Sequence, residues 1–165
     1  MSIIGVVLLA TFLAPPWRAT APYELCSVIE NLKRLPNGSL IVVRGTLVGH
    51  EEAVFLKSSC QYHFRTGEMV WPDAIRLAHP LADGLLYGKL YDHGVAYSPI
   101  TKALEKHSLT MATLTIVVEG RFERREEYWS RRVASDMIVG NGFGHLGGFA
   151  AQLVVTRVWA IEVSR

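Results

Sequence analysis

Two stretches far apart in the chain read almost alike: Ile41-Val42-Val43-Arg44-Gly45 and Ile116-Val117-Val118-Glu119-Gly120. Each alternates apolar residues toward a glycine and then adds one more large apolar residue, Leu47 or Phe122. Period-two alternation puts Ile41, Val43, Gly45 and Leu47 on one strand face, and Ile116, Val118, Gly120 and Phe122 on another. The intervening Val42, Arg44, Val117, Glu119 and Arg121 form a more polar set. A glycine on the buried face lets a strand bend sharply, as closing a small barrel requires.

The other elements fit around this pair. Leu25, Val28, Ile29, Leu32 and Leu35 recur at helical spacing and predict a helix over Glu24 to Leu35. Pro36-Asn37-Gly38 stops it and turns the chain into a strand from Ser39 to Gly49. His50-Glu51-Glu52 reads as a turn and Ala53 to Lys57 as the second strand, while Ala74 to Ala78, after Trp71-Pro72-Asp73, reads as the third. From His79 to Tyr97 no period survives, so residues 79–97 read as an inserted surface loop, of the kind that often carries function. Ser98-Pro99 is a helix-start signal continued by Ile100, Ala103 and Leu104. Leu109 to Glu123 and Gln152 to Val163 supply the last two strands. A mainly β chain of five strands, with a helix between the third and fourth, has the element order of an OB-fold barrel, a five-stranded Greek key. The N-terminal helix then serves as a cap on one barrel end. The competing expectation is another small α+β domain with the same elements paired differently.

The 165 residues carry a formal charge of +2, which gives no strong field for capturing nucleic acid or an anionic membrane. Ile3 to Ala14 is free of charge and too short for a bilayer span, which needs about 20 apolar residues. With Pro15-Pro16 behind it and the small residues Ala19-Thr20-Ala21 further on, it reads as a secretory signal over residues 1–21. No Lys or Arg precedes the apolar run, and Pro22 is a poor residue after a cut, so the cleavage point stays open. Residues 22–165 then form a single domain. Cys26 and Cys60 are the only cysteines. In an exported domain such a pair reads as one disulfide, contributing about 4 kcal/mol by chain entropy. In a reducing compartment they read as two separate buried thiols.

Candidate chemistry is sparse. Gly140-Asn141-Gly142-Phe143-Gly144-His145-Leu146-Gly147-Gly148-Phe149 offers a backbone able to take positive φ repeatedly. One reading is a loop whose amides cradle an anion, with Asn141 and His145 as polar partners. The other is a tight connection between barrel strands, pinned to the core by Phe143, Leu146 and Phe149. The literal match Gly142-x-Gly144-x-x-Gly147 to a dinucleotide fingerprint is set aside because a strand follows it. The six histidines, at 50, 63, 79, 93, 107 and 145, form no H-x-x-x-H or H-E-x-x-H pair. A metal site would need His50, Glu51 and His145 to converge from two loops. No nucleophile elbow is present, so no cofactor, metal or catalytic residue is assigned and enzyme is the weaker class. Glu119 to Arg132 mixes arginines and aromatics in the manner of a nucleic-acid surface, but its glutamates cancel most of the charge. Paired charges on a solvated hairpin explain the run.

Leu25-Cys26-Ser27-Val28, Ile41 to Gly45, and Gly-x-Gly-His-Leu-Gly-x-Phe-x-Ala-Gln over Gly142 to Gln152 resemble uncharacterised exported bacterial proteins with a small OB-like barrel. The resemblance implies export, a barrel and a cysteine bridge, and no activity. The leading expectation is an exported, periplasmic or secreted, non-enzymatic domain contacting a protein or glycan of the cell envelope through loops 79–97 and 140–149. Trp71, Tyr87, Tyr91 and Tyr97 are candidate stacking residues for that contact, or anchors of the long loop. The alternative is a cytoplasmic domain that binds single-stranded nucleic acid with steep salt dependence.

Overall fold

A computed structural model describes residues 21–50, 53–79, 98–107 and 112–164. The expected signal segment, the turn at Glu51-Glu52, the start of the strand at Leu109 and nearly all of the inserted loop, Tyr87, Tyr91 and Tyr97 included, lie outside the described residues.

In chain order the elements are β1 (Tyr23–Glu24), α1 (Leu25–Glu30), β2 (Leu40–His50), β3 (Ala53–Lys57), β4 (Arg65–Thr66), β5 (Met69–Val70), β6 (Ala74–Ala78), α2 (Ser98–His107), β7 (Thr113–Arg124), β8 (Ser130–Arg132), β9 (Ile138–Gly140) and β10 (Ala151–Ser164). The order β2-β3-β6-β10-β7 closes on itself because β7 also pairs with β2. All neighbours are antiparallel except β6 and β10, which run parallel. With α2 between the third and fourth barrel strands, this is a closed, five-stranded, OB-like barrel. β1 adds a short parallel rung beside Val43 and Arg44.

The two echoing stretches are each other's partners. Ile41 faces Gly120, Val43 faces Val118 and Gly45 faces Ile116, so each glycine lies opposite the isoleucine of the other strand. A Cβ on Gly120 would press on the Val154 carbonyl and the Leu153 side chain, at 2.6 and 2.7 Å. Gly45 instead gives room to Leu25 of α1. Helix α1 thus approaches the sheet closely at Gly45, and β10 approaches β7 closely at Gly120. The core holds Leu25, Val28 and Ile29 of α1 with Val43, Leu56, Ile75, Ile116, Val118, Phe122, Leu153 and Val155 of the barrel.

α1 is shorter than its apolar stripe predicts. Asn31 caps it and its side chain donates to the Ser27 carbonyl, after which hydrogen-bonded turns carry the chain to Leu35. Leu32 stays buried within those turns. Gly38, at φ +81°, reverses the chain, and its N–H donates to the Phe122 carbonyl. α2 closes the barrel mouth with Ile100, which is fully buried, and with Leu104, whose methyls occupy the space a side chain on Gly49 would need.

Cys26 and Cys60 form a disulfide with their Cα atoms 5.4 Å apart, tying α1 to the segment after β3. The Ser58 hydroxyl lies 2.9 Å from the Cys26 sulphur and 2.7 Å from the Cys60 sulphur, and is the only donor among the three atoms of the bonded pair and the serine. No described helix is long and apolar enough to cross a membrane.

Candidate functional site

The glycine-rich loop is a built structure. Phe143 and Phe149 exchange backbone hydrogen bonds of 2.8 and 3.1 Å, closing a miniature hairpin. Inside it a single 3-10 turn runs over His145–Gly147. Gly144 and Gly147 take φ of +76° and +64°. A Cβ on Gly147 would fall on the Gly140 carbonyl, and one on Gly142 would fall on the Phe149 carbonyl and crowd the Trp71 ring. Leu146 is drawn into the same left-handed region, φ +53°, the one non-glycine among the described residues to adopt it. Such a conformation persists only where its surroundings enforce it. Leu146 was expected to pin the loop to the core; it stands at the tip, 48% exposed. The left-handed backbone turns its side chain outward, and of the three apolar residues only Phe143 and Phe149 serve the attachment.

The sequence-derived candidates are placed as follows. Asn141 spends its side chain on the backbone, accepting from Trp129 N–H at 3.0 Å and donating to the Glu127 carbonyl at 2.8 Å. It shapes the loop, with one bond from each end of its amide. His145 is exposed beside Leu146. The side chain of His50 lies outside the described residues, and among those described no three His, Cys, Asp or Glu groups gather as metal ligands. Trp71, expected as a stacking surface, is 1% exposed. Its indole N–H donates to the Thr66 hydroxyl at 3.0 Å, and its ring meets Tyr128 edge-on at 5.5 Å. Gly140 and Gly142 lie against that ring, so the missing side chains are filled by indole. Trp71 is therefore a core residue and the floor of the loop.

Expected charge pairing along Glu119 to Arg132 is present only in part. Arg121 pairs with Glu123 on the same strand, and Arg132 pairs with Glu68. The Arg124 Nε donates to the Leu35 carbonyl, and its backbone N–H donates to Asn37. Arg125 donates to the carbonyls of Asn141 and Gly142, at 2.7 and 3.1 Å, and its guanidinium lies 4.3 Å from the centre of the Phe143 ring. It is the clasp that holds the loop. The Tyr128 hydroxyl donates to the Ala150 carbonyl at 2.7 Å, and burial raises the phenol pKa above its ordinary value against the pull of the Arg125 backbone and the two nearby guanidinium charges.

Beneath the loop a polar row crosses the outer face of the barrel. Phe55 of β3, Arg76 of β6, Gln152 of β10 and Glu123 of β7 stand in register. Their chain neighbours Leu56, Ile75, Leu153 and Phe122 face the core, so alternation turns these four outward. Arg76 Nη1 donates to Gln152 Oε1 at 3.2 Å, and Gln152 Nε2 donates to Glu123 Oε2 at 2.6 Å. Gln152 is only 4% exposed, and these bonds satisfy it. Phe149 covers one end by packing on Phe55, ring centres 5.3 Å apart.

A cleft of about 430 Å³ opens between this row and the loop, lined by Arg76, Glu123, Arg125, Gly142, Phe143, Gly144 and Gln152. Glu123 is neutralised by Arg121. Neither Arg76 nor Arg125 forms an ion pair among the described residues. The cleft is therefore cationic, with one aromatic wall and a hydrogen-bonding floor. Arg76 and Gln152 escaped the sequence reading, although each is a lone long polar residue inside an apolar strand, Ala74-Ile75-Arg76-Leu77-Ala78 and Ala150-Ala151-Gln152-Leu153. Comparison with known protein families, characterised proteins and solved structures found no match.

Proposed function

We propose that this protein is an exported, non-enzymatic binding domain that takes an acidic glycan of the cell envelope in the Arg76–Arg125 cleft. The observation that carries the reading is the pair of guanidinium groups, without ion-pair partners among the described residues, facing one cleft beside Phe143. The guanidinium fork suits carboxylates, and an aromatic ring suits the apolar face of a sugar. The position agrees with the fold: OB barrels bind ligands across their second and third strands, here β3 and β6, and the loop between the fourth and fifth, here the glycine-rich one. Export is supported by the apolar N-terminal stretch, by the disulfide and by the resemblance to exported bacterial OB-like proteins.

The test is calorimetric titration of the protein with oligogalacturonides and with neutral maltooligosaccharides. Binding of the acidic series alone, weakened about tenfold or more by Arg76→Met, is the expected outcome, since a charged hydrogen bond contributes about 1.5–3 kcal/mol. Equal binding of both series, or no effect of Arg76→Met, rules the cleft out. Single-stranded oligonucleotides in the same assay address the nucleic-acid alternative, for which binding must fall steeply with salt.

A further inference from the structure

The Arg76–Arg125 cleft does not end at Arg125. A second cleft shares Glu123, Arg125 and Phe143 with it and continues to Arg124, Asn37 and Gly38. Arg124 is fastened there by its bonds to Leu35 and Asn37. Immediately before that turn, Lys33 and Arg34 line a third and larger groove, of about 570 Å³, between the end of α1 and the segment leading into β4. Arg34 and Asn37 are three residues apart, so the chain itself keeps them within about 10 Å. Arg65 lies on the far wall of the groove.

This third groove has the same character as the first. Lys33, Arg34 and Arg65 are exposed, and none forms an ion pair among the described residues. Lys33 lies 5.5 Å from the centre of the Phe64 ring, and Tyr62, 46% exposed, stands on the same wall. Glu30 is the one acid that lines this groove, and His63 is held by Asp73 at 2.9 Å. The walls are fixed, since the disulfide joins α1 to Cys60, two positions before Tyr62. The first two clefts share three lining residues, the third is linked to the second by the short segment from Arg34 to Asn37, and all three are lined by cationic side chains.

We infer that the anionic ligand is a polymer, extending from the Arg76–Arg125 cleft past Arg124 and the Asn37–Gly38 turn into the groove of Lys33, Arg34 and Arg65. The inference rests on the acidic-glycan reading and deepens it: the first cleft recognises, and the third groove adds affinity through linkage along one chain.

Oligogalacturonides from trimer to dodecamer, titrated into the full domain, test it. The dodecamer should bind about tenfold or more tightly than the trimer. Lys33→Ala/Arg34→Ala/Arg65→Ala should reduce the dodecamer to the affinity of the trimer and leave the trimer unchanged. Lys33→Gln/Arg65→Gln, a milder change, should give an intermediate loss. A dodecamer no tighter than the trimer, or a triple variant that weakens both alike, overturns the track while leaving the first cleft standing. Failure of every oligogalacturonide to bind overturns the acidic-glycan reading as well, and so does tighter binding of oligothymidylate.

Discussion

In the barrel, Leu56, Ile75, Ile116, Val118 and Leu153 are buried at alternating positions, and apolar side chains meet across the interior. Between Arg125 and Ala150 the chain is held by other means. Asn141, Arg125, Tyr128 and Ser130 bond to backbone carbonyls or amides, and glycines let the backbone press on Trp71 and on itself. The first region is stabilised by the area removed from water and tolerates substitutions that keep volume. The second is stabilised by fit, and a methyl group disturbs it at Gly140, Gly142 or Gly147, as in the barrel it does at Gly120 but not at Gly45. Under the proposed function, a loop made this way would be set before the ligand arrives, which lowers the ordering cost of association.

Trp71 belongs to both regions, and its removal should have the largest effect. Trp71→Ala leaves Phe64, Tyr128, Gly140 and Gly142 facing a void, and the expected loss is about 3–5 kcal/mol in urea denaturation. A loss under about 1 kcal/mol would mean that the two regions are stabilised independently.

Glycines sharpen the contrast. Gly142→Ala should cost about 1–3 kcal/mol and strip hydrogen-exchange protection from residues 141–149 while sparing β2 and β7. Gly45→Ala meets its nearest neighbours at 3.3–3.5 Å and should cost under about 1 kcal/mol. Reversal of that order would break the comparison.

A smaller effect is expected at Tyr128. Tyr128→Phe removes the bonds from Arg125 N–H and to the Ala150 carbonyl, for about 1 kcal/mol below pH 10. Because burial raises the folded-state pKa, the unfolded chain loses the phenolic proton first as pH rises through about 10. The stability contributed by this group is thus fully present below that pH and falls above it. The phenylalanine variant should lack this component of the alkaline decline, which denaturation at a series of pH values will reveal. Smallest of all, Arg44→Ala breaks only the exposed pair with Glu162 and should change stability by under about 0.5 kcal/mol.

Much of the barrel was legible because periodicity is a local record of burial. Ala53–Lys57 and Ala74–Ala78 have the limits that alternation and flanking turn residues predict, and the long strands agree within a few residues where they are described. The hairpins β4–β5 and β8–β9 were missed, since strands of two or three residues carry no period. Little of the candidate site was legible. Its glycine-rich wall was found by composition, but the outward position of Leu146 follows from backbone angles, and the burial of Trp71 from residues distant in sequence that lie against it. Arg76 and Gln152 needed the strand register to meet.

The reciprocal glycine–isoleucine pairing has a consequence for the order in which the molecule can assemble. It joins Ile41 to Gly120 and Gly45 to Ile116, and β10 must then slot between β6 and β7. Barrel closure therefore waits until almost the whole chain is available, and contacts of such long range form slowly. Only nearby pairings, such as the β2–β3 hairpin, are open to a chain still being made. A chain still emerging from the ribosome therefore keeps its barrel open until β7 and β10 have been made.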